Sequence, residues 1–90
     1  MATPTQASTD LKNRLKTYGL RILHLYDSLP RYGSVQVIGK QLARSGTSSG
    51  AQYREACRAK SDADFISKIE GALQELDETD YWLEMLIDGN

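Results

Sequence analysis

The segment Leu42–Ala56, LARSGTSSGAQYREA, is a loop by composition and a helix by spacing. From Ser45 to Gly50 it is an unbroken run of Ser, Gly and Thr, the kind of cluster that marks a flexible connection. Yet Val35, Ile38, Leu42, Ser45, Ser49, Gln52 and Ala56 step by three and four, which puts them on one face of a helix. A helix here has a small, polar buried face: neighbouring backbone can come close, and every buried hydroxyl needs a partner. Gly46 and Gly50 also share a face, and each costs about 1 kcal/mol relative to Ala in a helix interior, a cost that close packing must offset. The alternative is a break near Ser45–Ser49 that leaves two short helices. Propensity alone does not choose between them.

The flanking sequence is helical on either choice. Pro4 and Pro30 are the only prolines, so few positions obligatorily break a helix. Leu11, Leu15, Tyr18, Ile22, Leu25 and Leu29 recur at intervals of four and three, an amphipathic stripe that Leu20 and Leu23 widen. Thr9 or Asp10 suits its N-cap, and Pro30 ends it. Ser34 suits the N-cap of a second helix, and Ser61 with Asp64 resembles a capping box for a third. In that third helix Phe65, Ile69, Ala72, Leu76, Thr79, Leu83 and Leu86 form the stripe, with Ile66, Leu73, Trp82 and Ile87 beside it and Gly89 as a stop.

The pattern predicts an all-α fold: a flexible segment over 1–9, then a single domain over 10–90 with helices at 10–29, 35–59 and 62–88. Tight turns make it an antiparallel up-down bundle, with a fourth helix short or absent. Helices this long, stacked only three deep, leave apolar surface at their sides, which points to an oligomer.

No stretch approaches the roughly 20 apolar residues of a membrane span, and the polar first ten residues hold no signal-peptide core. Cys57 is the only cysteine, which rules out an internal disulfide and a cysteine zinc cage. The expected setting is the cytoplasm, with no membrane contact.

The net charge of −1 hides an asymmetry. Residues 1–60 carry ten Lys or Arg against three acids, and residues 61–90 carry nine acids against one Lys. Charge complementarity between neighbouring helices is one reading. The other is a basic face that holds nucleic acid. Its candidate residues are Lys12, Arg14, Lys16, Arg21, Lys40, Arg54, Arg58 and Lys60. Arg44, Ser45, Ser49, Gln52, Glu55 and Glu75 are the candidate structural polar core, with Glu75 or Glu78 meeting Arg44 or Arg54 across two helices.

Catalytic and metal chemistry find little footing. His24 is the only histidine and sits among apolar residues, so packing explains it, and no second ligand stands at helical spacing. The run GSVQVIGKQ at Gly33–Gln41 fails as a phosphate loop: five residues separate its glycines instead of four, and Gln41 stands where Ser or Thr belongs. The acids of the third helix lack the Glu-x-x-His pattern of a di-metal bundle. No cofactor, metal or enzymatic activity is expected.

Three motifs together resemble a known family: GKQLARSGTSSGAQYREA (Gly39–Ala56), AKSDADFISKI (Ala59–Ile69) and ALQELDETDYWLEMLI (Ala72–Ile87). The chain from about residue 11 to 88 resembles the bacterial four helix bundle proteins, also described as 23S rRNA intervening-sequence proteins. The resemblance implies one continuous second helix, a ring-like homopentamer and no catalysis. It also implies kinship with a nucleic-acid-binding accessory protein of the reverse transcriptases of diversity-generating retroelements. Departures are Gln52, where the family has Asn, and an end at Asn90, where the family continues into a fourth helix. The leading expectation is an oligomeric bundle that binds RNA or DNA. The alternative is an adaptor that docks a partner's helix through Tyr81, Trp82 and Met85.

Overall fold

The computed structural model describes residues 4–89. They form three α-helices: α1 (Pro4–Ser28), α2 (Gly33–Cys57) and α3 (Asp62–Asp88). α2 runs unbroken through Ser45–Gly50, so the loop-like composition belongs to a helix interior.

The ends show local chemistry at work. α1 begins at Pro4, six residues ahead of the expected start. Proline's fixed φ suits a first turn, and nothing in residues 5–9 interrupts it. Thr9 and Asp10 are therefore helix interior and not caps, and the stretch expected to be flexible is helical from Pro4 on; residues 1–3 lie outside the described residues. α2 likewise starts at Gly33, with Tyr32 in extended conformation as its N-cap and no side-chain capping bond. Ser34 sits inside the first turn. Gly33 has φ +70°, a torsion that glycine adopts freely and other residues resist. α2 stops at Cys57 and not Ala59, because the Arg58 and Ala59 N–H groups bond the carbonyls of Glu55 and Ala56, three residues back, which tightens the last turn. The Ser61 hydroxyl accepts from the Asp64 N–H at 3.0 Å, so α3 starts where its capping sequence predicted.

α2 is the central element. No Cα of α1 lies within 8 Å of a Cα of α3, while both helices pack on α2. Along α1 and α2, Ser8 meets Cys57 at 3.2 Å (Oγ to Sγ), Leu15 meets Gly50, Ile22 meets Gly46, and Tyr26 and Leu29 meet Gly39. Along α2 and α3, Arg44 reaches Glu75 and Glu78, Ser45 reaches Thr79, and Glu55 reaches Lys68. Over the length of each seam, the lower-numbered part of one helix meets the higher-numbered part of the other.

The two faces of α2 differ in kind. Toward α1 it presents glycine: a Cβ at Gly46 would lie 2.8 to 3.0 Å from three atoms of Ile22, and one at Gly39 would lie 3.1 to 3.3 Å from Leu29 and Tyr26. Toward α3 it presents hydroxyls. Ser45, Ser49 and Thr79 are fully buried. Thr79 Oγ1 lies 2.8 Å from Ser45 Oγ and 2.7 Å from the Glu75 carbonyl, and Ser49 donates to the Gly46 carbonyl at 3.2 Å.

The buried hydrophobic set is small: Ile22, Leu42, Ala56 and Ala72. The molecule measures 44 × 25 × 18 Å with a radius of gyration of 14.8 Å, against about 12 Å for a compact chain of this length. Such a slab cannot cover its stripes. Leu11 and Leu25 of α1 and Phe65 of α3, all expected in the core, are exposed, because nothing among the described residues packs over the open side between α1 and α3.

Candidate nucleic-acid interface

The eight candidate cations divide among three surfaces. Lys16 and Arg54 face each other across a groove of about 380 Å³ between α1 and α2, with Gly19, Leu20, Leu23, Thr47, Gly50 and Ala51 between them. Lys12 precedes Lys16 by one helical turn, and Lys40, Thr47, Ala51, Arg54 and Arg58 recur at intervals of seven, four, three and four. Helical spacing therefore adds Lys12 to one wall and Lys40 to the other, and Arg58, the C-cap just past Cys57, continues the second wall beyond Arg54. Arg14 and Arg21 instead line a groove of about 630 Å³ between α1 and α3, with Leu11, Tyr18 and Leu76. Lys60 borders a third hollow of about 560 Å³ at the α2–α3 turn, beside Ser8, Tyr53 and Cys57. Seven of the eight cations are exposed, and Lys12 is half-buried. Among the described residues none of the eight makes an ion pair: the pairs found are Arg31 with Asp27, Arg44 with Glu75 and Glu78, and Lys68 with Glu55. Charge complementarity between adjacent helices thus accounts for Arg44 and Lys68 but for none of the candidate set.

The expected polar core is partly surface. Ser45 and Ser49 are buried as predicted, and Gln52 is half-buried with its amide packed over Gly71. Glu55 is exposed and pairs with Lys68 of α3 at 3.5 Å, at the edge of the α2–α3 seam and not inside it. Arg44 is also exposed, at the flank of the α2–α3 seam. There it holds Glu75 at 3.2 Å and a close contact with Glu78, and its Nε donates to Gln41 at 3.3 Å. Trp82 Nε1 donates to the same Glu78 at 3.1 Å. The hydrogen bond from Arg44, helped by the one from Trp82, holds the Glu78 carboxyl below its usual range, and the bond to Glu78 raises the Arg44 guanidinium. Arg54 meets neither acid.

Spacing missed two features. Thr79 read as one more member of the apolar stripe, yet it carries the buried hydroxyl that pairs with Ser45; a threonine opposite a serine-lined face was the available signal. Leu20 and Leu23 read as a widening of the core stripe, yet they are exposed and floor the basic groove. Of the three adaptor residues, Tyr81 and Met85 are exposed, whereas Trp82 is half-buried and tied to Glu78. Burial pushes the Tyr18 phenol above its ordinary value, consistent with its place between α1 and α3. Among the described residues no group of His, Cys, Asp and Glu is placed to hold a metal ion, and no helix is long and apolar enough to cross a membrane.

The family model described as 23S rRNA-intervening sequence protein matches residues 9–90. The chain belongs to this family. A similar solved structure is a protein of unknown function from the S23 ribosomal protein family of Bacteroides thetaiotaomicron. It is 47% identical with a TM-score of 0.81, over 88% of this chain and 73% of that one. No protein with a curated description matches. Membership in the 23S rRNA-intervening sequence family thus agrees with the three motifs that carried the resemblance.

Proposed function

We propose that this chain is a non-enzymatic, self-associating helical-bundle protein that binds RNA or DNA through the basic face of α1 and α2. The observation that carries the reading is the groove where Lys16 and Arg54 face each other, extended by Lys12, Lys40 and Arg58, with none of the five paired to an acid among the described residues. Unpaired cations keep their charge available for phosphate, and each phosphate they neutralise releases counterions. The acids lie chiefly on α3, so the field is one-sided. The opposed numbering along both seams supports an antiparallel up-down arrangement. The exposed apolar residues of α1 and α3 support self-association, for which the family resemblance suggests a pentamer, and a reduced Cys57 suits the cytoplasm.

Titration of a fluorescently labelled duplex at several potassium chloride concentrations tests this. Five phosphate contacts give a slope of about −4.5 for log K against log salt, a loss of roughly 10²- to 10³-fold between about 50 and 200 mM. Lys16→Glu with Arg54→Glu should abolish binding, while Arg14→Glu with Arg21→Glu, on the other groove, should leave most of it. Affinity that ignores salt, or equal loss in both variants, would remove the basis for this interface.

A further inference from the structure

The hollow at the α2–α3 turn differs in chemistry from the basic groove. Two aromatic rings line it, Tyr53 from α2 and Phe65 from α3. Phe65 belongs to the apolar stripe of α3 by spacing, yet it is 44% exposed, and Tyr53 is half-buried. Among the described residues neither ring stacks on another; the ring pair found is Tyr81 with Trp82. Polar side chains of the lining are already engaged. Ser8 Oγ and Cys57 Sγ lie 3.2 Å apart, and the Ser61 hydroxyl accepts from the Asp64 N–H. The charges cancel: Lys60 and Asp62 both border the hollow, and Asp64 adds a second acid to the first turn of α3. A phosphate gains little there. A flat, neutral, aromatic group fits better, because it covers the rings and needs no counter-charge. At about 560 Å³ the space falls within the roughly 300 to 1,000 Å³ of small-molecule sites.

A row of cations leads to the hollow from the groove. Arg54 stands on the groove wall, Arg58 follows one helical turn later at the C-cap of α2, and Lys60 stands at the rim of the hollow. All three are exposed, and among the described residues none makes an ion pair. A strand whose phosphates lie along this row brings its end to the two rings.

We propose that the hollow takes up one unpaired base at the end of a strand, stacked on Phe65 and Tyr53, while the phosphates before it lie on Arg54, Arg58 and Lys60. The proposal rests on the nucleic-acid reading above and narrows its ligand to a strand with an unpaired end. Every base has a π-face, so stacking on aromatic side chains tolerates any sequence. The hollow therefore reads whether the end is unpaired and not which base it carries. A base inside a duplex cannot enter, because its faces are covered by its neighbours. The groove holds either form through its phosphates, and the hollow supplies the discrimination.

Fluorescence anisotropy on the full chain tests this with three forms of one short labelled RNA duplex: blunt, with a short 3′ adenosine overhang, and with an abasic overhang of the same length. The two overhangs carry the same phosphates and differ only in their bases. The adenosine overhang should bind roughly 5- to 100-fold more tightly than the abasic one, the range for one stacked base. Phe65→Ala, at the more exposed ring, should bring the two overhangs to equal affinity and leave the blunt duplex bound as before. Tyr53→Ala should do the same, and Tyr53→Phe, which keeps the ring, should keep the difference. Circular dichroism checks that each variant folds, and Phe65→Ala decides the matter if Tyr53→Ala does not. Equal binding of the two overhangs by the unsubstituted chain would overturn the pocket, as would a difference that survives Phe65→Ala; the blunt duplex, still bound with its salt dependence, would show that the groove reading stands. Binding of none of the three forms would defeat the nucleic-acid reading and the pocket with it.

Discussion

α2 makes two seams, and they hold by different physics. Against α1 it is glycine meeting Ile22, Tyr26 and Leu29, so the seam is steric: shape decides it, and a Cβ at Gly46 or Gly39 would crowd its neighbours, while Gly50 keeps ordinary clearance from Leu15. Against α3 it is hydroxyl meeting hydroxyl and Arg44 meeting two carboxylates, so direction decides it. A steric seam tolerates no added atom where the neighbour is rigid. A polar seam tolerates change when both partners change together. One helix thus recognises its two neighbours by separate rules, which keeps α1 and α3 from exchanging places.

Three measurements would break or sharpen this contrast. The largest effect is expected at Gly46. Valine there meets the branched carbons of Ile22, which lie close to the α1 backbone and cannot swing away, so Gly46→Val should cost about 3 kcal/mol, the upper part of the usual range for overpacking. Thermal unfolding should fall by roughly 15 °C, and Ile22→Ala in the same chain should recover part of it. Gly71 is the control. A Cβ there would overlap Gln52 Oε1 far more deeply, but that atom ends a flexible side chain. Gly71→Ala should therefore be close to neutral, its helix propensity gain of about 1 kcal/mol offsetting the moved amide. Equal losses at Gly46 and Gly71 would end the steric account.

The polar seam should show the opposite behaviour. Ser45→Ala should cost about 1 kcal/mol, and Thr79→Val a similar amount, because each leaves a buried hydroxyl short of a partner. The double substitution should cost less than the two together, measurable as coupling in a double-mutant cycle of urea midpoints. Strict additivity would mean the hydroxyl pair does not act as a unit.

The smallest effect belongs to Arg44 and Glu78. Because the folded state holds the Glu78 carboxyl below its usual range, its contribution is complete above the ordinary carboxylate range and is lost as pH falls through its depressed value. The pair is largely exposed, so the loss should be at most about 1 kcal/mol and should shrink with added salt. Trp82 fluorescence should follow it, since its indole N–H donates to the same carboxylate. An acid titration in which Glu78→Gln matches the unsubstituted chain would show that the pair contributes nothing.

The sequence revealed the elements more readily than the contacts. Three helices, the Ser61 cap and the burial of Ser45 and Ser49 were all legible, because three-four spacing and capping chemistry act within a few residues. The glycine face was legible as a need for close approach, but not as a seam with α1, since its partner Ile22 is 24 positions away. The basic groove was the least legible. Lys12 and Lys16 come from α1, Lys40 and Arg54 from α2 and Arg58 from its C-cap, and only the pairing of those helices separates them from Arg14, Arg21 and Lys60. Arg44 and Glu55 were misplaced for a related reason: they flank the small-residue segment, Arg44 just before it and Glu55 just after, but at helix angles that leave both exposed.

The separation of α1 from α3 bears on how the molecule breathes. α1 rests almost wholly on α2 and joins it through one short turn that ends at Gly33, the one described residue with positive φ. Pivoting α1 away at that turn would break the glycine seam and uncover Tyr18 but leave the α2–α3 hydrogen bonds described above intact. Partial opening of this kind is a cooperative unit of its own, and it would expose Gly39, Gly46 and Gly50 as a bare backbone ridge. Amide protons of α1 should then exchange with solvent ahead of those in α2 and α3, and the rate of that exchange would time how often the walls of the basic groove part.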